Sequence, residues 1–205
     1  MKFTKTMLNK IILASKSKVR KEILDKNDIP NEVEHSNVDE DVVKDALIKE
    51  KSSPEIISKN LAELKANKVS FKKPDILVLG ADSVIDLDGE LISKPSSRED
   101  AMAILKKLNG NKHYLISSVC ISKNGEMVWN YTDKAILKMK KFLDNDLKKY
   151  LSNISDENLY AYNVYQIEGE GRSLFSSIEG DQNTIMGLPI KKISEYLKSI
   201  EWKNF

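Results

Sequence analysis

Gly80-Ala81-Asp82-Ser83 follows directly on the apolar run Ile76-Leu77-Val78-Leu79. Flanked by Pro74-Asp75 and Gly80, that run has the length and character of a strand buried on both faces. Asp82 then falls at the carboxyl end of a central strand, where open α/β sheets place their ligands. A carboxylate there has two chemical uses: it can hold a divalent cation as a hard oxygen donor, or it can take a proton from water. The plain alternative is a turn cap, but a charge set straight after a buried strand favours function.

A second constellation is Ala14-Ser15-Lys16-Ser17-Lys18-Val19-Arg20, placed where a short apolar run, residues 11–14, gives way to a helical pattern. Free N–H groups at a helix start attract phosphate, and serine hydroxyls, lysines and Arg20 add donors, so the segment suits an anion cradle. It reads equally well as helix capping by Ser15 or Ser17 beside solvated lysines. Lys94-Pro95 and the acidic Asp39-Glu40-Asp41, expected in a polar loop, are surface charge when taken singly. Together with Asp82 they form a phosphoryl-transfer set, which consists largely of positioning and charge compensation.

These residues need a scaffold. Ser53-Pro54-Glu55 starts a helix that carries Ile57, Leu61 and Leu64 at helical spacing and Lys65 near its end. Residues 84–87 and 90–92 flank Asp88-Gly89, a tight hairpin signal, and residues 114–121 and 127–131 flank Asn124-Gly125, a second one. Ser97 opens a helix closed by Asn109-Gly110. Residues 134–140 alternate as a further strand, residues 143, 147 and 151 mark a short helix, and residues 164–167 and 174–178 supply strand candidates. Gly187-Leu188-Pro189 leads into a helix with Ile190, Ile193 and Leu197 inward. Interleaved strands and helices with hairpins predict a single α/β domain over residues 1–205. It has a mixed sheet, flanking helices and two lobes around a central cleft, with a lobe boundary near residue 140.

The composition excludes other classes. Lysine plus arginine total 33 against 31 acidic residues, a formal charge of +2, so no strong field for nucleic acid or anionic lipid exists. The lysines at 138, 140, 141, 148 and 149 read as a solvated face. His35 and His113 do not pair at zinc-ligand spacing and read as a loop and a strand-edge residue. Cys120 is the sole cysteine and sits in an apolar run, as a small core residue. No stretch is long and apolar enough to span a bilayer, and Met1-Lys2-Phe3-Thr4-Lys5 opens without the apolar region of a signal peptide; a cytoplasmic location is expected.

The order Leu13-Ala14-Ser15-x-Ser17-x-x-Arg20, Asp39-Glu40, Lys65-Ala66, Gly80-Ala81-Asp82, Leu87-Asp88-Gly89-Glu90, Lys94-Pro95, Glu168-Gly169 and Gly187-Leu188-Pro189 resembles the Maf family of nucleotide pyrophosphatases. The resemblance spans nearly the whole chain and implies the family's α/β cleft. It also implies cleavage of a nucleoside triphosphate to monophosphate and pyrophosphate, a divalent cofactor such as Mg²⁺ or Mn²⁺, and a homodimer. By it Asp82 matches the catalytic acid and a metal ligand, with Glu40 sharing the metal, while Ser15, Arg20, Lys65 and Lys94 match the phosphate-binding pocket. Three positions bear on the base. Val19 replaces a second arginine of the dTTP/UTP branch, Glu168 matches the 7-methyl-GTP branch, and Ser83 is not that branch's glutamine. Two alternatives stand beside this reading: a broad house-cleaning pyrophosphatase, and a non-catalytic nucleotide-binding regulator of septum formation.

Overall fold

The computed structural model describes residues 10–202; Met1-Lys2-Phe3-Thr4-Lys5, on which the expectation about export rests, lies outside them. Its frame is a seven-stranded mixed sheet ordered β2-β1-β3-β5-β6-β7, with β4 also paired to β3. β1 (Ile11–Leu13) runs parallel to both β2 (Asn31–Val33) and β3 (Val78–Leu87). The other pairings, among β3, β4 (Glu90–Ile92), β5 (Lys112–Lys123), β6 (Glu126–Met139) and β7 (Phe175–Glu179), are antiparallel. The hairpin turns form as their sequences require. Asp88, Gly89, Asn124 and Gly125 all adopt positive φ, the conformation that joins twisted antiparallel strands tightly.

Two expected breaks do not occur. The end of the apolar run, Val78-Leu79, and the first hairpin arm lie on one ten-residue strand, β3, so Asp82 sits at mid-strand rather than at a strand end. Likewise residues 127–131 and 134–140 merge into the single strand β6, which ends at Met139. In both cases the partner β5 is long enough to carry the pairing straight through. Residues 164–167 form no strand. They turn between α6 (Asp156–Tyr162) and a short 3₁₀ helix, Glu170–Leu174, with Val164, Tyr165 and Ile167 buried by packing rather than by sheet pairing.

Helices cover both faces. α1 (Lys18–Lys26) and α8 (Ile190–Ser199) bring Ile23, Leu24, Ile190, Ile193 and Leu197 against Leu13, Leu79, Ala81 and Val119. α4 (Arg98–Leu108) and α5 (Asp144–Ser152) pack Leu105 and Leu147 into a second core with Ile85, Leu115 and Leu137. Leu143, expected in that helix's apolar stripe, is its exposed N-cap. The two cores each draw on residues before and after 140, so the chain does not divide there. Among the described residues no helix is long and apolar enough to cross a membrane.

The remaining face belongs to α3 (Pro54–Ser70), capped by Ser53, whose side chain accepts from the Ile56 N–H. Its buried stripe is Ile57, Leu61, Lys65 and Val69, while Leu64 points outward. This helix lies on β3 at its closest approach over Gly80. A Cβ there would stand 2.1 Å from the Ala62 carbonyl oxygen and 2.7 Å from the Ala66 nitrogen. Ala62, Ala66 and Cys120 complete a seam of small side chains, and the Cys120 thiol is pushed up to about 11 by burial.

His113 corrects another expectation, being fully buried on β5. Its Nε2 lies 2.9 Å from the Tyr165 hydroxyl, and its Nδ1 has no partner. Burial lowers its pKa to about 4.

Two outcomes follow for stability. Gly80→Ala forces α3 off the sheet and should destabilise the protein by about 3 kcal/mol, read as a fall in thermal midpoint. A variant as stable as the parent would contradict the close contact. For His113 the unfolded chain takes up a proton from about pH 6.5 downward while the folded chain refuses it until about pH 4, so stability is lost as pH falls through that window. Melts across this range should show a shallower acid decline for His113→Gln, the difference approaching about 3 kcal/mol near pH 4. Identical slopes would remove His113 from the account.

Candidate active site

Alternation along β3 sends Asp82 and Ser83 to opposite faces of the sheet. On that strand's open edge, pairing to β1 stops at Leu79 and pairing to β4 starts at Ile85, so the stretch between has no strand neighbour on that side. A cleft of about 580 Å³ opens there, lined from both cores and by the loops after β1 and β4.

On the α3 face, Lys65 Nζ lies 2.8 Å from Asp82 Oδ1 and 2.9 Å from Glu40 Oε1. The Lys65 and Asp82 side chains are each only 7% exposed, so neither charge has water to fall back on. The Ser58 hydroxyl donates to the Asp82 carbonyl, at 3.2 Å, and ties the same helix to the same strand. Asp82 Oδ2 is shut from solvent and has no hydrogen-bond partner. Glu40 does not lie in a loop: Asp39 caps the helix α2 (Glu40–Lys49), and Glu40 opens its first turn. Its position is therefore set by a capped helix, which the Asp-Glu-Asp spelling disguised as a polar linker. Burial pushes the Glu40 carboxyl up, yet Lys65, with Lys44 and Arg20 behind it, outweighs that and holds it below its ordinary range.

On the other face Arg20 is held from four directions. Its Nε donates to the Gly187 carbonyl at 3.0 Å, one terminal nitrogen donates to Ser15 Oγ at 3.2 Å and the Ala81 carbonyl at 2.9 Å, and the other donates to Ser83 Oγ at 3.0 Å. Ser17 caps α1 and its Oγ accepts from the Arg20 N–H, while Ser15 Oγ accepts from the Ser17 N–H, so both serines of the expected cradle are used. Burial lowers the Arg20 pKa, opposed by Asp82 and Glu40; a guanidinium remains charged regardless. Gly187, at φ +92°, is pressed against this arginine, and a Cβ would meet Ser83 Oγ at 2.9 Å and Arg20 Nε at 3.2 Å.

Lys94 stands on the loop after β4, exposed along the cleft, its pKa lowered by the enclosing walls and then by the charge of Arg20. Glu168 is exposed and lines the same cleft, on the loop that Tyr165 anchors to His113. Val19 faces the cleft while packing against the core under α1. All nine expected residues, Ser15, Val19, Arg20, Glu40, Lys65, Asp82, Ser83, Lys94 and Glu168, thus border one cavity. Sequence reasoning missed Ser117, buried with Thr184 behind Ser83; its signal was a Ser-Ser pair inside an otherwise apolar strand.

Comparisons with known proteins identify relatives of this chain. The family model described as Maf-like protein matches residues 10–200. A protein of Pelagibacter ubique named nucleoside triphosphate pyrophosphatase is 67% identical over 95% of this chain and 100% of its own length. Proteins of the same name from Ruegeria pomeroyi and Caulobacter vibrioides are each 39% identical, over 91% and 93% of this chain and 94% and 96% of theirs. Among solved structures, the Ham1 protein of Staphylococcus aureus shows a looser likeness, with a TM-score of 0.42 and 15% identity over 64% of this chain and 72% of that one. With a family model running through nearly every described residue, and relatives matched almost end to end, the chain belongs to the Maf-like protein family.

Proposed function

We propose that this protein hydrolyses nucleoside triphosphates between the α and β phosphates, releasing nucleoside monophosphate and pyrophosphate. The observation that carries the reading is Asp82: one carboxylate oxygen is pinned by Lys65, and the other is buried in the cleft wall without a partner. An unpartnered buried oxygen is destabilising by about 1–3 kcal/mol, a deficit offset when a ligand or water meets it. Relatives named for this activity support the same conclusion.

Each residue then has a task. Arg20 and the α1 N-terminus hold negative charge at the mouth of the cleft, and Lys94, on a flexible stem, follows the phosphates as their charge redistributes. Lys65 fixes the rotamer of Asp82 and ties it to Glu40 through one ammonium. Asp82, which lines the cleft, supplies the carboxylate that orients the attacking water and takes its proton. Among the described residues no three carboxylate, histidine or cysteine side chains gather into a metal cage. Mg²⁺, however, commonly uses one or two carboxylates together with substrate phosphates, and Asp82 with Glu40 is such a set. Bound there, Mg²⁺ or Mn²⁺ would neutralise the triphosphate and polarise the phosphorus–oxygen bonds.

For the base, the preferred substrate class is guanine-type, and 7-methyl-GTP in particular. A carboxylate at Glu168 accepts from the N1–H and exocyclic amine of guanine and offsets the positive charge of an N7-methylated ring. Val19 supplies no second arginine for a pyrimidine.

Asp82→Asn, which keeps size and the contact to Lys65, should lower kcat by on the order of 10³-fold, and Lys94→Ala by on the order of 10²-fold, in an assay that separates pyrophosphate from orthophosphate release. Activity within a few-fold of the parent in both would return these residues to structural roles. Glu168→Gln should raise KM selectively for 7-methyl-GTP while leaving UTP and dTTP nearly unchanged. A parent enzyme that prefers UTP or dTTP, or a variant that loses all substrates alike, would overturn the base assignment.

A further inference from the structure

Ser83, Ser117 and Asp133 form one row across the sheet, since Ser83 pairs with Ser117 between β3 and β5 and Ser117 pairs with Asp133 between β5 and β6. The row is closed from outside by α7 (Gln182–Ile185). Ser117 is fully buried, and its Oγ lies 2.7 Å from the Thr184 carbonyl oxygen and 2.9 Å from Ser83 Oγ. Thr184 donates its own hydroxyl to Asp133 Oδ2 at 2.6 Å, at the far end of the row.

Counting hydrogens fixes every direction in this chain. A carbonyl only accepts, so the single hydroxyl hydrogen of Ser117 goes to Thr184. Ser117 therefore accepts from Ser83, which uses the one hydrogen that Ser83 has. A guanidinium only donates, so Ser83 also accepts from Arg20, at 3.0 Å. One lone pair remains on Ser83 Oγ, and Ser83 is exposed on the cleft wall.

Building on the proposed activity, we infer that Ser117 makes Ser83 an acceptor-only contact, so that Ser83 selects a hydrogen-bond donor on the nucleoside and turns phosphate oxygens away. The donors available on a nucleotide are ring N–H groups, exocyclic amines and ribose hydroxyls; phosphate oxygens only accept. A side chain beside Arg20 that cannot donate thus divides the cleft. The triphosphate is met by Arg20 and Lys94, and the nucleoside lies against Ser83. Ser117 is the positioning residue here, acting through Ser83 without touching substrate. Its removal leaves the Thr184 carbonyl still bonded to the Gly187 N–H at 3.0 Å, so Ser117→Ala creates no orphaned carbonyl.

The test is kcat/KM on matched triphosphate pairs that differ in one donor: guanosine against inosine, ribo- against 2′-deoxyguanosine, uridine against 3-methyluridine. The parent should favour the donor-bearing member of at least one pair by roughly fivefold more than Ser83→Ala does, the value of one neutral hydrogen bond. Ser117→Ala should lose the same preference on the same pair, and the double variant should be no worse than Ser83→Ala alone. Preference surviving in Ser117→Ala, a uniform loss across all substrates, or additive losses in the double variant would each overturn the inference. If the parent hydrolyses none of the triphosphates, the activity is what has failed. The same pairs and variants are then read by calorimetric dissociation constants, with the same outcomes deciding.

Discussion

The missing side chain at Gly80 is the constraint on which the site depends. A helix laid on a sheet ordinarily stands about 10 Å away, held off by the side chains between. Here α3 presses its own backbone toward β3, with Ala62 and Ala66 above and no Cβ below. That closeness brings Lys65, one turn beyond Leu61, within 2.8 Å of Asp82, two residues beyond Gly80. A buried lysine and aspartate are destabilising apart and tolerable only when their geometry is good, so the small-residue seam and the ion pair require each other. Ser58 and the capped start of α2 add the remaining ties, the latter delivering Glu40 to the same ammonium.

The opposite face follows a different logic. β3 is flanked by β1 at one end and β4 at the other, and the gap between them leaves strand edge exposed to the cleft. Arg20 fills the upper part of that gap, taking the Ala81 carbonyl as a neighbouring strand would. Four acceptors hold the guanidinium in place. Gly187 permits the last of them, because any side chain there would collide with the arginine it serves. One strand thus carries two halves of a site: a carboxylate on one face and an arginine-bound hydroxyl on the other.

Much of this was legible in the residues. The helix starts at Ser53 and Ser97 and the turns at Asp88-Gly89 and Asn124-Gly125 stand where local chemistry places them, because caps and positive φ are decided by neighbours. Every expected site residue borders the cleft, since motifs in fixed order carry information that no single motif holds. What failed were features set by distant partners. β3 runs unbroken through Gly80-Ala81-Asp82-Ser83 because β5 pairs with it throughout, which no local window reveals. Val164, Tyr165 and Ile167 serve the core, with Tyr165 on His113, so their strand-like spelling misled. Lys65, taken into the site by resemblance alone, also stands in an apolar helical stripe, and a charge where packing demands a hydrophobe marks a buried partner.

The central claim is that Asp82, set by Lys65, directs water at the α phosphorus while the basic mouth of the cleft keeps the departing pyrophosphate. Hydrolysis of a triphosphate in heavy-oxygen water, with the products resolved by mass spectrometry, tests it most directly. The account predicts one heavy oxygen in the nucleoside monophosphate and none in the pyrophosphate. Label in pyrophosphate, or in free orthophosphate, would place the attack at another phosphorus and contradict the arrangement described.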